Sequence, residues 1–82
     1  MKNKDEQFEE YKKEQLKKLA ERIKELRVKK GYTSYEYFAY DHNIPRAQYG
    51  RYEKGEDLKF SSLLKVLKGL DISIEEFFTG FK

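Results

Sequence analysis

Residues 43–55, Asn-Ile-Pro-Arg-Ala-Gln-Tyr-Gly-Arg-Tyr-Glu-Lys-Gly, restrict the fold of this chain more than any other stretch. Asn43 is among the few non-glycine residues that tolerate the left-handed conformation. Pro45 suits a first helical turn, where its missing N–H costs nothing, and Gly55 suits the position just past a helix C-terminus. The pattern predicts a short helix over 45–54, entered by a tight turn. At about 100° per residue, Tyr49, Tyr52 and Glu53 share one face, with Pro45 beside them. Ala47, Gly50, Arg51 and Lys54 fall roughly opposite, flanked by Arg46 and Gln48. The outer face thus joins two arginines, a lysine and a glutamine to two residues too small to obstruct close approach. Arg and Gln are the side chains that pair bidentately with guanine and adenine edges in a major groove. Water makes no such demand on a helix face, whereas a DNA groove can use it.

Eighty-two residues provide for one domain with a small core. There is no Cys, which excludes a disulfide framework and a thiolate metal site and fits a reducing compartment. No apolar run approaches the roughly 20 residues of a membrane span, and the lysine-rich N-terminus lacks the apolar core of a signal peptide. A cytoplasmic protein with no membrane partner is expected. The 18 basic and 15 acidic residues leave a net charge of only +3. Residues 1–30 hold 11 basic and 7 acidic side chains, 31–60 hold 4 and 5, and 61–82 hold 3 and 3. The positive excess therefore lies on the first helix, and the candidate reading helix sits in a segment of net −1. Bulk electrostatics argues little for nucleic acid here, so the case rests on placement.

Taken in order, residues 2–5 are polar and the stretch 1–5 reads as frayed. From Glu6 to Lys30 there is no Gly or Pro, and good helix formers dominate. Phe8, Tyr11, Gln15, Leu16, Leu19, Ile23 and Leu26 recur at three- and four-residue steps, a narrow apolar stripe on a long helix. Arg27, Lys29 and Lys30 suit its C-terminal dipole, and Gly31 stops it. Residues 1–15 exceed what a minimal domain needs. They form an N-terminal helical extension to a domain over 16–82, either packing Phe8 and Tyr11 back on the body or offering that stripe to a second copy. Thr33 and Glu36 have capping-box spacing, and Ser34 is an equally good cap for a helix over 34–41 that buries Phe38 and Ala39. Tyr35, in its first turn, is the best candidate for a phosphate contact. His42 is the only histidine, with no carboxylate pair or thiol at ligand spacing, so no metal site and no cofactor are expected. Leu63, Leu64, Val66, Leu67 and Leu70 build a fourth helix that should be the buried one. Gly69 inside it points to a neighbour packed close. Ser73 and Glu76 open a fifth helix, ended by Gly80.

Glu53 lies only about 40° from the inward Tyr49, so its carboxylate turns toward the body and needs a partner. Arg27, one turn from the end of the first helix, is the residue expected to supply it.

The ordered set Leu19-Ala20-Glu21-Arg22-Ile23-Lys24-Glu25-Leu26-Arg27, Gly31, Phe38-Ala39, Ile44-Pro45-Arg46, Tyr49-Gly50-Arg51-Tyr52-Glu53-Lys54-Gly55, Leu63-Leu64-Lys65-Val66-Leu67 and Leu70 to Phe78 resembles the phage-repressor (Cro/XRE-type) helix-turn-helix family. The resemblance covers about 16–79. It implies an all-α, five-helix, lambda-repressor-like DNA-binding domain, here with an extended first helix. The second and third helices would form the helix-turn-helix, the third lying in a major groove. Position by position, it places Arg46, Ala47, Gln48 and Arg51 at the base- and phosphate-facing sites. Lys54 falls at a phosphate contact, and Arg27 and Glu53 fall on a structural ion pair.

Some positions depart from the family. Its second helix usually starts with a Gln that touches DNA, and here Ser34 or Tyr35 stands there. The connection from Gly31 is one residue longer, Asn43 replaces the turn glycine, Pro45 replaces a serine cap, and Gly50 replaces a frequent DNA contact. These changes bear on base specificity rather than on docking. The expected function is a sequence-specific transcriptional regulator, a repressor, binding double-stranded DNA as a homodimer on a near-palindromic operator. The alternative is a helical protein-interaction module, such as the antidote of a toxin pair or an adaptor without DNA binding, with aromatic surplus at Phe77, Phe78 and Phe81 and at Phe8 and Tyr11. No nucleophile, acid–base pair or metal cluster suggests an enzyme.

Overall fold

Helix formers without Gly or Pro leave the first third of the chain one choice, and it is a single rod of 26 residues, α1 (Lys4–Lys29). A computed structural model describes residues 3–81 and follows it with α2 (Tyr35–Asp41), α3 (Arg46–Glu53), α4 (Phe60–Leu70) and α5 (Ile74–Thr79). All five are helices, with no strand among the described residues. At ~1.5 Å per residue α1 alone is about 39 Å long, which sets the 46 Å long axis of a molecule 27 and 21 Å across.

α1 begins earlier than the polar run suggests. Asn3 accepts a hydrogen bond from the Glu6 N–H at 2.8 Å and so caps a turn expected to fray, residues 1 and 2 of that stretch lying outside the described residues. Asp5 and Glu6 add favourable charge at that end. The stripe divides in two. Ile23 is fully buried, and Leu19 and Leu26 pack against the core. Phe8 and Tyr11 stay 57% and 59% exposed, so they do not fold back on the body. Gly55 packs beside the Leu16 and Lys17 backbone of α1.

Four helices stop in the same way. At Gly31, Asn43, Gly55 and Asp71 the backbone takes a positive φ. The N–H of each residue and of its successor then bonds back to the preceding turn, as in Gly31 to Val28 and Tyr32 to Arg27. Asp71, at φ 56°, does this with no cue recognised in the sequence. Ser34, not Thr33, caps α2, accepting from Glu36 and Tyr37 N–H. Pro45 sits one step outside α3, because its ψ of 130° is extended rather than helical.

The core is built on Ile23, Phe38, Tyr49, Val66 and Phe77, each essentially without solvent contact. Phe77 is therefore core, not surface surplus; Phe81 packs against it and Phe78 remains exposed. Gly69 lets α2 close on α4: a Cβ there would lie 2.8 Å from His42 Cγ and 3.0 Å from Phe38 Cζ. His42 is thereby an aromatic packing residue, its ring 4.6 Å from that of Phe38. Arg22 closes the far end, donating from Nε to the Phe77 carbonyl at 3.1 Å and from Nη2 to that of Glu76. It thus satisfies carbonyls left open at the end of α5.

Candidate nucleic-acid interface

The α2–α3 corner is set by four residues. Asn43 takes the left-handed turn, Ile44 behind it is buried, and the Ile44 N–H donates to the Ala39 carbonyl at 2.9 Å. Lys65 on α4 donates to the Asn43 carbonyl at 2.7 Å and holds the turn from outside. Pro45 then precedes α3 at its N-cap, and the Tyr49 N–H donates to its carbonyl at 2.9 Å. Tyr49 and Tyr52 point inward, and their rings meet edge to face.

Arg27 ties α3 to α1. Its Nε and Nη2 donate to the two Glu53 oxygens at 2.7 and 3.0 Å, and its Nη1 donates to the Tyr32 carbonyl at 2.6 Å. Only 4% of the arginine side chain and 10% of the glutamate side chain see solvent. The Glu53 carboxylate raises the guanidinium further above its ordinary value. Beside the pair, burial pushes the Tyr49 phenol far up, and the Glu53 carboxylate adds to the push. The hydroxyl of Tyr49 has no hydrogen-bond partner of good geometry.

The outer face of α3 is more differentiated than a helical wheel suggests. Ala47, Arg51 and Lys54 are exposed. Arg46 is exposed but bridged to Glu36 of α2 at 3.0 Å. Gln48 is half-buried and donates from Nε2 to the Tyr52 hydroxyl. Gly50 is not an open notch, because the Tyr35 ring lies across it. A Cβ at Gly50 would stand 3.2 Å from Tyr35 Cε2, and the ring stacks over Tyr49 at 6.5 Å. Ser34 is engaged as a cap, its oxygen accepting from two N–H groups. Hence Tyr35, Arg46, Ala47, Arg51 and Lys54 are accessible around the corner, while Gln48 and Ser34 are turned to internal tasks. Glu36 is the participant that the sequence reading passed over. Its only signal was a carboxylate one position from Tyr35, where an anion adjoins the candidate interface.

Among the described residues no His, Cys, Asp and Glu group is arranged to hold a metal ion, and no helix is long and apolar enough to cross a membrane. A family model described as helix-turn-helix matches residues 23–77, from the middle of α1 into α5. No curated protein and no solved structure matches the chain significantly.

Proposed function

The chain belongs to the Cro/XRE-type helix-turn-helix family, and from that premise we propose that it is a sequence-specific repressor acting as a dimer on a near-palindromic operator. Membership makes it a DNA-binding transcriptional regulator of that type. The finer reading is carried by one observation: α3 presents Ala47 and Arg51 outward, both left exposed by the described residues. Arg51 then reaches base edges, since an arginine pairs bidentately with guanine. Tyr35 and Lys54 hold phosphates on either side, fixing register without reading sequence. Arg46 reads or anchors after exchanging Glu36 for DNA, and Gln48 contributes a base contact only after leaving Tyr52. Two copies place their α3 helices in successive major grooves about one turn apart. A bound dimer at a promoter blocks access, which makes repression the simplest outcome.

Selection of bound sequences from a random duplex pool tests the reading, and a palindrome is the expected result. On the selected site, Arg51→Ala should weaken binding by about 1–3 kcal/mol and relax preference at one base pair. Equal weakening on every sequence would make Arg51 a phosphate anchor. No duplex binding at low salt would overturn the assignment of α3 as the reading helix.

A further inference from the structure

Phe8 and Tyr11 are left more than half exposed by the described residues, near the N-terminal end of α1. At about 100° per residue, Lys4, Phe8, Tyr11 and Gln15 lie within about 60° of one another. Their strip is centred roughly 90° away from Ile23, the residue that aims α1 into the core. The strip thus runs sideways, facing neither the body nor directly away from it. Its spacing of four, three and four residues is that of alternating heptad core positions.

The flanking charges are segregated. Residues 5–10 carry Asp5, Glu6, Glu9 and Glu10, whereas 12–18 carry Lys12, Lys13, Lys17 and Lys18 against Glu14 alone. A helix acidic in its first half and basic in its second is complementary to itself only in the antiparallel sense. Parallel copies would set acid against acid and lysine against lysine.

We propose that residues 4–15 of α1 form a two-fold antiparallel contact with the same segment of a second copy, seating Phe8 of each copy on Tyr11 of the other. This deepens the dimer proposed above and rests on it. In that register Asp5 of each copy lies beside Lys12 of the other, and the same patch serves both sides, as a two-fold interface requires. Lys12 pairs with Glu9 of its own helix at 3.3 Å, an exposed contact whose exchange costs little. The quarter-turn between strip and core leaves both bodies on the same side of the helix pair, where two α3 helices can meet one duplex. The C-terminal aromatics compete poorly for this role, because Phe77 is buried, Phe81 is packed on the core, and Phe78 is left as the exposed ring. Twelve residues of paired helix fall short of the roughly 1,600 Å² of a standard interface. The free dimer is consequently weak, and DNA completes it.

Sedimentation equilibrium of the full chain over a concentration series tests this with Asp5→Lys, Lys12→Asp and their equimolar mixture. Each variant alone places like charges at both contacts, and its self-association should weaken about tenfold or more. The mixture restores opposite charges at both contacts and should associate as wild type does. Circular dichroism on the same samples checks that α1 remains helical. A mixture that stays monomeric overturns the proposal. So does a wild-type chain that stays monomeric throughout the series, or a dimer lost on Phe78→Ser but kept on Phe8→Ser. Binding of a mixed-sequence duplex by wild type and Arg51→Ala at low salt is measured separately. Its failure would remove the DNA reading of α3 and leave the sedimentation result standing.

Discussion

Removing Arg27 should destabilise this protein more than any surface change of similar size. The guanidinium is 4% exposed, and it supplies two bonds to Glu53 and one to the Tyr32 carbonyl. Arg27→Met fits the stem into the same space but leaves the Glu53 carboxylate, 10% exposed, with no counter-charge. Breaking a buried pair on one side costs about 3–5 kcal/mol. At roughly 0.05–0.15 kcal/mol per residue, an 82-residue domain has about 4–12 kcal/mol in all. The variant should therefore lose about a quarter or more of its stability. Glu53→Leu should do comparable damage by stranding the cation. Arg27→Met with Glu53→Leu strands neither charge, so the double variant should recover most of the loss, keeping about 1 kcal/mol for the Tyr32 carbonyl. Urea unfolding followed by circular dichroism measures all three, with the midpoint falling and the slope unchanged. Additive losses in the double variant would refute the reasoning, because independent sites add and a buried ion pair must not. Since this pair seats α3 on α1, DNA affinity should track the folded fraction in the same series.

Glu36→Gln frees Arg46 and removes an anion beside α3, so affinity for any duplex should rise about twofold to fivefold, given the small worth of an exposed pair; a gel shift at fixed salt reads it, and a fall would mean that Glu36 orients Arg46. Gly50→Ala forces the Tyr35 ring to move by a few tenths of an ångström. Helix propensity should raise stability by up to about 1 kcal/mol while DNA affinity changes, and thermal melts paired with binding separate the two effects. Tyr49 keeps its proton when folded, whereas the unfolded phenol loses it near pH 10.0. Stability is therefore intact below about pH 10 and should fall above it by about 1.4 kcal/mol per pH unit. Tyr49→Phe should abolish that share of the slope and, by removing a buried hydroxyl without a partner, leave the neutral-pH midpoint unchanged or higher.

Local chemistry determined a good deal by itself. Periodicity placed α1 and α4, because burial of one face imposes a 3.6-residue repeat, and cap and turn residues placed the three shorter helices. Gly31, Asn43 and Gly55 marked their stops, since few residues accept a positive φ. Glu53 was legible as inward-turned from its angle to Tyr49. Asp71 takes the same conformation without a glycine or asparagine to mark it, as a short polar side chain can. The tertiary structure decided what each face meets. A helical wheel counts Gly50 as empty, yet α2 crosses there and fills it with Tyr35. The same wheel sets Gln48 beside the open face, yet it bonds inward to Tyr52, and Arg46 is held by Glu36 from another helix. Phe8 and Phe77 look alike as aromatic positions on helices, yet one is bare and the other is core. The reason is physical: spacing along one helix fixes the direction of a side chain, but the neighbour that occupies that direction comes from a different part of the chain.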